Sequence, residues 1–165
     1  VLVMSAGPNG QNNNGGHAHN DKLSFDLDIG EDNLVRHPGT YLYTSSATWR
    51  NVFRSISAHP TLQSGFEHNR WTNDQVGLFS LKNESQCSLL WLGDEGVSAK
   101  VEYRNISQIR TIRIYSDHIT ISDQSSVPFT NQLHSFEWFS CGYGKIRSFR
   151  PDLENYEIFY SEFAG

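Results

Sequence analysis

Seven histidines occur in the 165 residues, and four of them stand where their chemistry can be pooled. The phrase Gly-Gly-His-Ala-His-Asn-Asp-Lys-Leu-Ser-Phe puts His17 and His19 two residues apart, at what reads as the start of a strand. Along an extended chain such positions share a side, so both imidazoles can face one centre. His37 follows 18 residues later, just before a Pro38-Gly39 turn. His59 lies 22 residues further on, in Ser-Ile-Ser-Ala-His-Pro-Thr-Leu, again at a predicted strand start. Neighbouring strand ends can bring such side chains within metal-ligand range. Three neutral imidazoles suit zinc and leave a fourth position for water or substrate. The competing reading of each is a histidine that is merely hydrogen-bonded or solvated at a strand end. His68, His118 and His134 have no partner in sequence and read as surface or packing residues.

Other chemistry is thinner. There is no Gly-x-Ser-x-Gly, no phosphate-binding loop and no dinucleotide fingerprint. Arg50, Arg54 and Arg70 fall near the histidine phrases, where they could contact an anionic saccharide or pair with surface carboxylates. Trp49, Trp71, Trp91 and Trp138 could stack on sugars, but their strand spacing reads most of them as core. Asp26, Asp28 and Glu31 alternate outward along a strand and read as a solvated face.

The elements that must position these residues are strands. Lys22 to Ile29 alternates, with Leu23, Phe25, Leu27 and Ile29 on one face. Val97–Tyr103, Ile109–Tyr115 and His118–Ser122 do the same, the last two separated by a Ser116-Asp117 hairpin turn. Val76–Leu81, Cys87–Leu92, Leu133–Ser140, Lys145–Phe149 and Tyr156–Phe163 bring the expectation to about ten to twelve short strands. One short helix fits, within residues 44–54, with Ser45 or Ser46 as cap and Trp49 and Phe53 one turn apart. The predicted fold is all-β, a single antiparallel β-sandwich over residues 1–165. Gly7 to Gly16 is a glycine- and asparagine-rich loop suited to close backbone approach.

Composition agrees. Hydrophobic residues are 37% and charged residues 19%, both low for a globular chain, while aromatics reach 13%. A net charge of −5 argues against a nucleic-acid binder working by bulk electrostatics. No stretch approaches the 18 apolar residues of a membrane span. The two cysteines, Cys87 and Cys141, form no Cys-x-x-Cys, and the sequence leaves their pairing open. A chain opening Val-Leu-Val-Met, already in strand pattern, is expected to be a piece of something larger.

Three ordered phrases carry a resemblance. Ala-Gly-Pro-Asn-Gly…Gly-Gly-His-Ala-His-Asn-Asp-Lys-Leu-Ser-Phe, His-Pro-Gly-Thr-Tyr-Leu-Tyr and Arg-Ser-Ile-Ser-Ala-His resemble the C-terminal half of heparinase II/III-like proteins, which are polysaccharide lyase-like. The likeness is dense over residues 5–65 and fades beyond Asp123. It implies a two-part enzyme in which an N-terminal helical toroid and a β-sandwich close on an acidic polysaccharide. It also implies His19, His37 and His59 as ligands of zinc or another divalent metal. His17 would lie at the substrate, with Tyr41 or Tyr43 within reach of the site. Arg50, Arg54 and Arg70 would be the candidates for substrate contact. Two departures stand out: His37 replaces a usual Asp, leaving the ion's charge less neutralised, and Pro60 follows His59 where the family has Asn. The resemblance further implies a periplasmic or secreted bacterial protein. The isolated 165 residues, lacking the toroid, are expected to show no turnover. The alternative is a non-catalytic carbohydrate-binding or structural module that has kept the family's loop phrases.

Overall fold

The period-two patterns fold into two facing sheets. The structure is a computed structural model that describes residues 1–72, 80–131, 133, 137–142, 144–149 and 156–164. One sheet has three strands in the order β1-β2-β3: β1 (Leu2–Met4), β2 (Phe25–Ile29) and β3 (Asp32–Val35). The other has five, in the order β12-β8-β7-β6-β5. They are β5 (Ser85–Gly93), β6 (Gly96–Tyr103), β7 (Ile106–Ile114), β8 (Ile119–Ser125) and β12 (Ile158–Ala164). Two short pairs complete the set: β4 (Leu62–Gln63) with β9 (Thr130–Asn131), and β10 (Trp138–Phe139) with β11 (Arg147–Ser148). The expected all-β sandwich is what forms, with twelve strands among the described residues.

Its core follows from the alternation. Phe25, Leu27, Leu34 and Val35 of the small sheet meet Val97, Ile112, Ile119 and Ile121 of the large one, all fully or nearly buried. A second cluster, Leu23, Leu62, Ala99, Val101, Tyr103 and Ile106, lies beneath the segments that carry the histidines. At roughly 1.5–3 kcal/mol per fully buried aliphatic or aromatic side chain, these two clusters supply most of the driving force for folding.

Several expectations are adjusted. Ser116-Asp117 does turn a hairpin, closed by Tyr115 N–H donating to His118 O at 2.9 Å. The sheet is not wholly antiparallel, because β12 returns parallel to β8. The strand expected from Lys22 starts only at Phe25, since Leu23 has φ +62° and breaks the extended run. β3, β4 and β9 carried no sequence signal, being two to four residues long with mixed burial. The strand expected over Val76–Leu81 lies largely outside the described residues, and so does His134.

The short helix is α1 (Ala47–Arg54), capped by the Ser46 hydroxyl, which accepts from Trp49 N–H at 3.3 Å. Phe53 is buried, but Trp49 one turn earlier is 48% exposed. Trp138 is also exposed, and Trp71 and Trp91 are half-buried, so none of the four tryptophans is core. Asp26 and Asp28 are half-buried rather than solvated: they accept hydrogen bonds from His37 N–H and from Asn33 Nδ2, respectively. Glu31 is exposed, as expected. Cys87 and Cys141 are free thiols, and burial pushes that of Cys87 up to about 11.

Candidate metal centre

Three loops deliver three imidazoles to one point. The glycine-rich loop carries His19; the turn after β3 carries His37; and a single 3-10 turn at Ile56–Ala58 ends on His59. His59 is extended, with φ −115° and ψ 146°, the conformation that Pro60 demands of the residue before it. One candidate ligand atom from each ring lies within 4.8 Å of the other two. Ring centroids are 5.2 Å apart for His19 and His37, 5.4 Å for His19 and His59, and 4.5 Å for His37 and His59.

His17 goes elsewhere. It has φ +56°, so the chain is not extended between the two histidines; His17 is not among the three converging rings, although it lines the same cleft as His19 and His37. Its imidazole is exposed and meets the Tyr43 ring edge-on at 5.9 Å. Tyr41 instead packs on Phe53 at 5.3 Å and Trp49 at 6.0 Å, against α1. Of the two tyrosines, Tyr43 is therefore the one beside a site histidine.

The hydrogen bonds assign the protons. His59 Nδ1–H donates to Ser55 O at 2.7 Å, which leaves Nε2 as a lone pair facing His19 Nδ1 at 3.3 Å. His19 Nδ1 then carries a proton, and its Nε2 accepts from Thr40 Oγ1 at 3.2 Å. Burial and the neighbouring imidazole of His37 push His19 down to about 3, and burial likewise holds His59 well below its ordinary value. Both are neutral at physiological pH, the form that binds a metal.

The donor set fits a tetrahedral ion with nitrogen ligands. Metal–nitrogen bonds of about 2.0–2.1 Å place two tetrahedral ligands about 3.3–3.4 Å apart, the separation of His19 Nδ1 and His59 Nε2. To bind through Nδ1, His19 would have to move its proton to Nε2, where Thr40 Oγ1 can accept the hydrogen bond. His37 would have to shift a proton too. Its Nδ1 accepts from Gly39 N–H at 3.0 Å, so the proton sits on Nε2, which faces the Asp21 carboxylate at 3.6 Å. Binding an ion through Nε2 would move that proton to Nδ1 and open the Gly39 hydrogen bond.

Asp21 was not singled out in the sequence, although it stands two residues after His19 in the same phrase. Burial opposes its charge, but the His37 hydrogen bond and the nearby His59, His37 and Lys22 outweigh this and hold it below the usual carboxylate range. It remains ionised beside the trio and supplies a negative charge to a site otherwise built of imidazoles. Lys22, also buried, donates from Nζ to Gly7 O and Pro8 O at 3.0 Å each and pins the glycine-rich loop.

The arginines are spoken for by the scaffold. Arg54 is buried; its Nε donates to Ala18 O at 2.8 Å, the carbonyl between His17 and His19, and its guanidinium lies 5.5 Å from the Trp71 ring centre. Burial and the charge of Arg50 push Arg54 down to about 10. Arg50 is buried and reaches Tyr43 O at 3.4 Å. Arg70 is exposed and held by Glu84 through Nε to Oε1 at 2.5 Å. His68 is fully buried and edge-on to Tyr103 at 4.9 Å, a packing residue as expected, while His118 stacks on Tyr115 at 4.4 Å near the surface.

His17, His19, Asp21, His37 and Thr40 line a cleft of about 440 Å³. Thr40 also lines a second hollow of about 750 Å³ bounded by Tyr41, Tyr43 and Ser45 on one side and Ser140 to Gly142 on the other. His19 and His37 thus face the cleft, while His59 is fully buried.

Comparison with known proteins decides the lineage. The family model "Heparinase II/III-like, C-terminal" matches residues 1–89, more than half of the chain and the stretch that holds all four site histidines. The chain belongs to that family. Among solved structures, a heparinase III with methylated lysines is similar over 88% of this chain at 20% identity, with a TM-score of 0.56. At that identity the likeness shows the shared fold. This heparinase II/III-like chain spans 28% of the length of that protein. A search of curated protein sequences returns no match.

Proposed function

We propose that this chain is the β-sandwich part of a polysaccharide lyase, and that it contributes a zinc-holding trio and substrate-side groups to β-elimination of a uronate-containing polymer. The observation that carries this reading is the convergence of His19, His37 and His59, the first two lining a cleft with His17, which meets Tyr43 edge-on, in a chain of the heparinase II/III-like family. His19, His37 and His59 would hold the ion; bound there, it supplies fixed positive charge that stabilises an anionic substrate and braces the groove wall.

The reaction needs the C6 carboxylate neutralised, the C5 proton removed and the C4 oxygen protonated as it leaves. The C5–H electrons become the C4–C5 double bond while the C4–O bond breaks, so atoms and charge balance with one base and one acid. His17 and Tyr43 are accessible, line two hollows that share Thr40, and are of the residue types that perform such transfers. Positively charged or amide groups that neutralise the carboxylate would come in part from a helical toroid domain in the full protein. The polymer is acidic, and the proposed setting is periplasmic or secreted.

The test is an unsaturated-uronate absorbance assay on acidic polysaccharides. The isolated 165 residues should give a flat trace; the full-length protein should give product, lost on His17→Ala. A full-length protein that binds acidic oligosaccharide without cleaving it would instead establish the non-catalytic module.

A further inference from the structure

One buried guanidinium reaches both histidine-bearing segments. Arg110 on β7 and Asp123 on β8 are each 0% exposed and joined by two hydrogen bonds, Nε to Oδ1 at 2.8 Å and Nη2 to Oδ2 at 2.6 Å. The remaining amine of Arg110, Nη1, donates to Leu23 O at 3.0 Å and to Pro60 O at 2.5 Å. Leu23 is four residues beyond His19, and Pro60 directly follows His59. The same two segments are cross-tied by Thr61, whose N–H donates to His59 O at 2.8 Å and whose hydroxyl donates to Lys22 O at 2.5 Å.

Asp123 is itself fixed. Its Oδ2 accepts from Asn131 Nδ2 at 3.0 Å and from the Tyr160 hydroxyl at 2.7 Å, and Asn131 Oδ1 accepts from Arg110 Nη2 at 3.1 Å. Leu23 needs such support. It is a buried non-glycine residue at φ +62°, a conformation that persists only where the surroundings over-determine it. A planar fork is the side chain that can hold a carboxylate with one edge and two carbonyls with another; a lysine ammonium cannot span them.

We propose that Arg110, locked by Asp123, is the positioning residue of the histidine centre: it clamps the Leu23 and Pro60 carbonyls together and thereby sets the His19–His59 separation that a metal requires. This rests on the metal-holding role proposed above. It also goes beyond the family match, because Arg110, Asp123, Asn131 and Tyr160 all lie outside residues 1–89. On this account the second half of the chain is the jig for the first.

The experiment measures zinc affinity by chelator competition, together with urea unfolding, for the intact protein, R110K and the apolar pair R110M/D123L. The pair fills much of the same volume without a buried charge and serves where R110K does not fold. Folded variants should bind zinc about 10–100-fold more weakly, the cost typical of losing an outer support of metal ligands. Arg113→Lys, on the same strand but exposed, should bind as the parent does. A purely structural role would lower the urea midpoint and leave the zinc affinity of the folded variants at the parental value, and that result overturns the proposal. If the parent takes up no zinc, the metal reading fails by itself, and crystal structures then decide the positioning. A His19–His59 contact opened beyond hydrogen-bond range in the folded variant supports the clamp, and a retained 3.3 Å contact refutes it.

Discussion

At the residue scale, the site depends on two imidazoles, His19 and His59, kept neutral by burial and on one carboxylate, Asp21, kept charged by its neighbours. Asp21→Asn should therefore keep the fold yet weaken zinc binding about tenfold or more, as removal of a charged outer partner does; chelator competition measures it. Burial also gives the molecule an acid limit. His68 is pushed down to about 4, and its unfolded value is 6.5. Between those two values the unfolded chain holds the extra proton, so stability rises with pH and is lost as the pH falls from 6.5 toward 4. The loss from His68 alone should be roughly 3 kcal/mol, and His19, at about 3, extends the same trend. Urea midpoints of the metal-free protein across that range test this; a flat profile would contradict buried neutral imidazoles. The ligand residues were legible in the sequence because histidine is scarce and the phrases are ordered. Asp21 was not, because an Asp after Asn looks like loop polarity until His37 is seen facing it. Arg110 and Asp123 were not singled out either, since nothing in one strand reveals a partner on the next.

At the element scale, the site is built on turns that other turns hold down. Gly39 has φ +73°, and a Cβ there would lie 2.1 Å from Ser140 O. Ser140 N–H in turn donates to Pro38 O at 2.8 Å. The turn that carries His37 is thus docked on a segment a hundred residues later, and only glycine permits the approach. Gly39→Ala should destabilise the protein by more than about 1 kcal/mol, read as a lower urea midpoint. At the cap of α1, Ser46→Ala should cost about 1 kcal/mol, less than the glycine change because water can replace a capping hydroxyl at a half-exposed site. Period-two alternation made β2, β6, β7 and β8 readable in advance, for each has one face in the core. The parallel return of β12 was not readable, because alternation reports which face is buried and says nothing of direction. Nor was the parting of His17 from His19, which turns on one positive φ.

At the scale of the whole molecule, the proposed function makes this sandwich, with His19 and His37 lining an open cleft, one side of a site shared with the rest of a longer protein. The similar heparinase III is more than three times longer than the part this chain matches. If the proposed function holds, linking the chain to a helical toroid partner domain should create lyase activity that neither piece has alone, measured as unsaturated uronate formed. The central claim, however, is local and can be put to the chain as it stands. Zinc per chain should be determined by elemental analysis after purification with zinc present and removal of free metal. The account predicts one zinc per chain in the parent and none in His59→Ala with the sandwich still folded. A folded parent free of zinc, or a His59→Ala protein that keeps it, would contradict the account.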